Sequence, residues 1–391
     1  MKKSFFGFSQ NVFILSLISF LNDIGGETIK RTIPLFLTNV LGVKTGIVGL
    51  VEGVGEATPQ IFQPISGWLS DKTKKCKPLL LFGQVLRSSM VFLFWATSWW
   101  HVLIVRFLDR SGKGITSAPR DALLASSSED GTRGRSFGLN RMFDNAGAVI
   151  GLTIAGLIVI LTQKGGLVLE GGTFGRIVLL AVIPLILALI LIVLFVKEEG
   201  ETRELRPSIS FQNQLDPKFY YFLALSFLFT LGNSSDGFLI LRAQNVGVSL
   251  AMIFFLLAIL NLVASLVSLP AGNLSDKIGR KKLLFGGWVF YSLTYLGFGI
   301  AKFPGHVLGL FLLYGIYIGL TEGVAKALVS DLVPSPRRGT AFGLYNLVVG
   351  GTLFPASLLA GFLWQTISPA APFYFGAILA FLAALGLIFF K

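Results

Sequence analysis

Between positions 177 and 196 the chain runs for twenty residues without a polar side chain. Wound as an α-helix, such a run matches the roughly 30 Å hydrocarbon layer of a bilayer. Backbone groups in lipid must satisfy their own hydrogen bonds, which leaves helices and closed barrels as spanning structures. The run is continuous rather than alternating, so it is not a barrel strand. Further apolar runs lie at 222–231 and 373–390. The 391 residues are 53% hydrophobic and 14% charged, with mean hydropathy +0.74. Soluble domains are about 25% charged.

The runs predict twelve spans, at roughly 10–41, 45–70, 78–97, 100–126, 136–162, 176–196, 218–243, 248–272, 283–302, 306–332, 339–366 and 370–390. The first reads as a retained span, not a cleaved signal, because it continues through charges past any h-region. With the N-terminus inside, nineteen basic residues fall on inner segments and only Lys44, Lys164, Arg176, Arg242 and Lys302 on outer ones. Both termini are therefore expected to be cytoplasmic. The formal net charge of +13 then reports orientation. A nucleic-acid partner would need the bases gathered on one polar surface, and here they sit in short loops. Cys76 is the single cysteine, so no disulfide or cysteine metal cluster is expected within the chain.

The spans are organised by a repeat. Gly67-Trp68-Leu69-Ser70-Asp71-Lys72 returns 205 residues later as Gly272-Asn273-Leu274-Ser275-Asp276-Lys277. The same offset relates Phe137-Gly138-Leu139 to Phe342-Gly343-Leu344, and His101 to His306. A fixed offset sustained this far marks two copies of one structural unit. The polar stretch 197–217 separates six spans from six, so both copies share one orientation.

The words Gly67-x-Leu69-x-Asp71-Lys72 and Gly272-x-Leu274-x-Asp276-Lys277-x-Gly279-Arg280-Lys281 resemble the loop 2–3 and loop 8–9 signature of the major facilitator superfamily. In the first copy Lys74 stands where the family usually has glycine. Arg106 and Arg110, with Gly112-Lys113-Gly114, are similar to the family's arginine and Gly-x-Gly signature on span 4, and either arginine fits. The resemblance implies an all-α membrane protein of twelve transmembrane helices in two pseudo-symmetric bundles, 1–196 and 218–391, joined by a cytoplasmic linker at 197–217. It also implies a conformational latch formed by Asp71 with Lys72, and by Asp276 with Lys277 and Arg280. The family's antiporter signature on span 5 is a glycine-rich run that includes Gly-Pro; this chain has Gly147, Gly151 and Gly156 without the proline.

Charges inside spans cost several kcal/mol unless paired or wetted, which makes them candidates for function. Asp23, Glu27, Lys30 and Arg31 share one face of span 1, and Glu52 and Glu56 one face of span 2. Arg87 lies in span 3, and Arg106, Asp109, Arg110, Lys113, Arg120 and Asp121 lie in span 4. Arg141 and Asp144 are three apart on span 5, Asp236 is in span 7, and Glu322 and Lys326 are four apart on span 10. In the first half seven such acids meet eight such bases, a balance that favours an ion-pair network over a bare charged pore. Gly147 and Gly151 form a small-residue packing face. His101 and His306 fall at equivalent outer span ends and read as interfacial.

The expected function is secondary transport of a small molecule or ion by alternating access, proton-coupled and outward, by a monomer in the cell (inner) membrane. Asp23, Glu27 or Glu56 would carry the proton. The alternatives are an inorganic or metal ion as substrate on the same fold and, more remotely, a non-transporting receptor. The only long polar stretch that could serve a receptor is 197–217. No catalytic residues, metal site or cofactor are expected.

Overall fold

The computed structural model describes residues 4–5, 8–128, 133–163, 166–198, 216–334 and 338–390. Most of the expected linker, 199–215, lies outside these residues, as do Lys2, Lys3, Lys164, Arg203, Arg206, Arg337 and Lys391 of the charge pattern. A two-residue β-hairpin, β1 (Ser4–Phe5) with β2 (Phe8–Ser9), precedes the first helix.

The helices fall on the twelve expected spans. They are α1 (Gln10–Leu35, continued by a π-helical turn, Phe36–Val40), α2 (Thr45–Thr73), α3 (Lys77–Ser88, continued as a 3-10 segment, Ser89–Trp95), α4 (Trp99–Ser126), α5 (Arg133–Gln163) and α6 (Gly171–Phe195). Next in the chain come α7 (Pro217–Gly232), α8 (Gly237–Asn245), α9 (Leu250–Ile278), α10 (Arg280–Ile300), α11 (Pro304–Asp331), α12 (Arg338–Thr366) and α13 (Ala371–Phe389). Among the described residues, ten spans are long and apolar enough to cross a membrane by length and composition alone. The other two, α2 and α4, carry Glu52 and Glu56, and Arg106, Asp109, Arg110 and Lys113.

Local signals set the ends. The Ser9 hydroxyl caps α1 by accepting from Val12 N (3.3 Å), and the Asp216 carboxylate caps α7 by accepting from Lys218 N (2.7 Å). Gly279, at φ 94°, ends α9 and turns the chain directly into α10. At the matching turn of the first copy, Lys74 has φ 54°, a left-handed conformation without glycine's freedom. The departure noted in the sequence therefore keeps a positive φ and loses only the residue that adopts it without strain.

The described residues form two compact units. The first holds α1, α2 from residue 58, and α3 to α6; the second holds residues 42–57 of α2 and α7 to α13. In the first unit α1 packs on α5 and α6, and α3 on α4. In the second α7 packs on α12 and α13, and α10 on α11, which repeats the scheme. Glycine permits these approaches. A Cβ at Gly147 would strike the Phe20 carbonyl and one at Gly151 the Ile24 carbonyl, so the small-residue face of α5 lies against α1. In the second unit Gly49 and Gly53 of α2 approach the backbone of Ser357 and Phe354 on α12 in the same way.

Span 7 differs from expectation. It is not one helix: residues 233–236 are non-helical and separate α7 from α8. The turn-forming string Gly232-Asn233-Ser234-Ser235-Asp236-Gly237 accounts for the break. Lipid would not tolerate the freed backbone groups, so they are satisfied within the protein. Ser235 N donates to Ser357 Oγ (3.2 Å), Asn233 N to the Thr230 carbonyl (2.9 Å), and Gly237 N to Ser235 Oγ (3.2 Å).

Candidate functional site

In the first unit the charged faces of α1 and α4 meet polar groups from α3 and α5. Asp109 is buried between two guanidinium groups, with Arg110 Nε at 3.3 Å and Arg87 Nε at 3.8 Å. Arg87 also donates to the Asn22 carbonyl (3.3 Å). Gln84 Nε2 donates to Asn22 Oδ1 (2.8 Å) and to the Leu185 carbonyl (3.0 Å), tying α3 to α1 and α6. Arg106 is wholly buried one turn from Asp109. Such groups are retained in a span only where protein replaces water around them.

The face of α1 faces a second set. Asp23 has Lys113, Asp144, Glu27 and Arg87 as charged neighbours. Glu27 pairs with Arg31 (3.4 Å) and has Lys30, Lys113 and Arg110 around it. Lys113 is thus a charged neighbour of two carboxylates of α1 one turn apart. A hydrogen-bonded line continues along α4 and α5. Arg120 holds Asp121 (3.0 Å) and donates to Ser19 Oγ (3.0 Å). Ser19 donates to Asn140 Oδ1 (3.0 Å), and Asn140 Nδ2 donates to Asp144 Oδ2 (3.2 Å).

The remaining predicted residues lie elsewhere. Glu52 is buried in the second unit and accepts from Ser235 Oγ (2.7 Å), whereas Glu56, one turn on, is less buried. Asp236 accepts from the Tyr314 hydroxyl (3.0 Å). Glu322 and Lys326 pair at 3.3 Å with both side chains about half exposed. Arg141 is exposed on α5. Of the signature residues, Arg280 binds Asp331 at the end of α11 (2.6 Å) and Asp276 one turn back (3.7 Å). Lys72 lies over the Trp68 ring (5.0 Å), while Asp71 and Lys277 occupy the last turns of α2 and α9. Among the described residues no group of three His, Cys, Asp or Glu side chains could hold a metal ion.

The sequence reading missed the neutral partners Ser19, Asn22, Gln84 and Asn140. Ser19 shares the Asp23 and Glu27 face at helical spacing, which was the available signal. It also missed an aromatic cluster in the second unit, formed by Tyr291 and Tyr295 of α10 and Tyr314 and Tyr317 of α11. Their four-residue and three-residue spacings would have placed each pair on one helix face.

The sequence pattern of the Major Facilitator Superfamily matches residues 15–241 and, again, 222–391. The chain belongs to the major facilitator superfamily. It is 39% identical to an uncharacterized MFS-type transporter of Methanocaldococcus jannaschii, over 97% of this chain and 95% of that one. It is 31% identical to the multidrug resistance protein MdtH of Aeromonas hydrophila over 138 residues, 35% of this chain and 34% of that one. Its fold is similar to that of a POT family transporter crystallised with a thioalcohol-conjugated peptide, with a TM-score of 0.83 at 14% identity, covering 100% of this chain and 97% of that one. This MFS chain is accordingly a multi-pass membrane protein and a secondary transporter, not an enzyme.

Proposed function

We propose that the protein is a proton-coupled exporter of a small solute, acting as a monomer in the cell membrane with both termini cytoplasmic. The observation that supports the coupling is that Lys113 is a charged neighbour of both Asp23 and Glu27. Ionised Asp23 competes with Glu27 for one ammonium group. A proton on Asp23 removes that attraction and leaves Lys113 to Glu27, which changes the link between α1 and α4. A carboxylate held in opposition between burial and a neighbouring cation is suited to such a switch.

The outward direction is supported by the segment similar to MdtH, a multidrug resistance protein. The latch belongs to the same proposal: Arg280 between Asp276 and Asp331 would hold the second copy closed, and Asp71 with Lys72 would do so in the first. A second reading, an inorganic anion as substrate, is favoured by the guanidinium groups of Arg87 and Arg110 that flank Asp109, with Arg106 one turn away on α4.

The test begins with growth of an expressing strain against toxic compounds, with phosphate and sulfate uptake measured in parallel. The compound giving the largest protection is then carried into proteoliposomes. A pH gradient should drive its flux, and Asp23→Asn should lower gradient-driven flux at least about tenfold, in keeping with loss of a coupling step. Flux indifferent to the gradient in both proteins would sink the coupling.

A further inference from the structure

The break between α7 and α8 does more than interrupt a span. It presents Asn233, Ser234 and Asp236 to the tyrosine cluster of α10 and α11. Tyr291 donates between Asn233 Oδ1 (3.1 Å) and the Gly232 carbonyl (3.2 Å), and Tyr314 donates to Asp236 Oδ1 (3.0 Å). The Tyr295 hydroxyl, 1% exposed, is set among Tyr291, Tyr314, Ser234 and Asp236.

We propose that this cluster is a binding site for a monovalent alkali cation. The oxygens gathered here are one carboxylate, tyrosine hydroxyls, an amide oxygen and a backbone carbonyl. These are hard ligands of the kind that displace water from an alkali or alkaline-earth ion. A single carboxylate at the Asp236 position matches one positive charge. The C-terminal end of α7, with its negative dipole, adds to that preference, and broken helices supply cation ligands in other transporters. The occupant must be of atomic size. Tyr291 packs against Tyr295 at 4.2 Å and against Tyr317 at 4.6 Å between ring centres, a close packing that favours a small ion over an organic cation. The cation of α8, Arg242, does not fill the role, since its guanidinium is spent on Asn245 and on the carbonyls of Phe298, Gly299 and Ala301. Glu52 accepts from Ser235 Oγ and fixes the broken segment to α2.

This site lies in the second unit and does not rest on the proton reading of Asp23. The full chain, purified in detergent, is melted in sodium chloride, potassium chloride or N-methylglucamine chloride at constant ionic strength. One alkali cation should raise Tm by a few degrees in a saturable manner, as a ligand of the folded state does. Asp236→Asn should abolish the shift, and Asp23→Asn should keep it. Tyr295→Phe, which removes only the hydroxyl, should raise the half-saturating concentration about tenfold, the effect of losing one ligand. Equal Tm in all three salts would overturn the proposal, as would an unchanged shift in Asp236→Asn. If Asp236→Asn does not fold, an unaltered concentration dependence in Tyr295→Phe overturns it.

Discussion

The helix pair α3 and α4 of the first unit and the pair α10 and α11 of the second are built alike and filled differently. Each crosses where glycine meets threonine, Gly83 against Thr116 and Gly287 against Thr321. Inside, the 205-residue offset sets Phe311 in place of Arg106, Tyr314 in place of Asp109 and Tyr317 in place of Gly112. On the partner helix it sets Tyr291 for Leu86, Ser292 for Arg87 and Tyr295 for Met90. One unit therefore fills this position with an ion-pair network and the other with stacked phenols. Small residues at the crossings hold the scaffold, which leaves the enclosed side chains free to diverge.

The comparison breaks most visibly where charge is removed. Asp109→Ala would leave Arg87 and Arg110 buried without their shared carboxylate, a loss of about 3–5 kcal/mol. Tyr314→Phe, at the matching position, removes one donor from Asp236 and should cost about 1–3 kcal/mol. Thermal melting of the two purified variants measures the difference, and an Asp109→Ala protein as stable as Tyr314→Phe would show that the first network is not held by its charges. The crossings should then differ more modestly. A Cβ at Gly83 would stand 2.8 Å from the Gly112 carbonyl, which cannot turn away, as well as 2.6 Å from Thr116 Cγ2. At Gly287 the close neighbour is the Thr321 side chain, which can turn. Gly83→Ala should therefore cost about 1–3 kcal/mol of melting stability, and Gly287→Ala should sit at or below the low end of that range.

Spans were legible because lipid leaves no alternative to the helix, and a twenty-residue apolar run can do little else. The break at 233–236 was hidden by the apolar residues around it, although its own composition spells a turn. Buried charges stood out because each is costly in a span. Their neutral partners did not, because a glutamine or asparagine becomes part of a site only through a residue far along the chain. Gln84 meets Asn22 across 62 positions and Ser19 meets Asn140 across 121. The tyrosine cluster was hidden in the same way, since Tyr314 finds Asp236 across 78 positions. Glu52 looked like a partner of Glu56 on one helix face, and only the fold shows that Ser235, in the break between α7 and α8, holds it.

The smallest expected effect concerns the duplicated turns. Lys74 and Gly279 are equivalent, and both have positive φ, 54° and 94°. For a residue with a Cβ this region costs roughly 1–2 kcal/mol, whereas glycine enters it freely. Glycine also leaves the unfolded chain more freedom, which offsets part of the gain. Lys74→Gly should therefore stabilise the protein by at most about 1 kcal/mol, while Gly279→Ala should destabilise it by about as much or more. The two variants, melted side by side, should move in opposite directions. If Lys74→Gly lowers Tm, the lysine contributes an interaction that outweighs its backbone, and the first copy of the signature has a role that the second lacks.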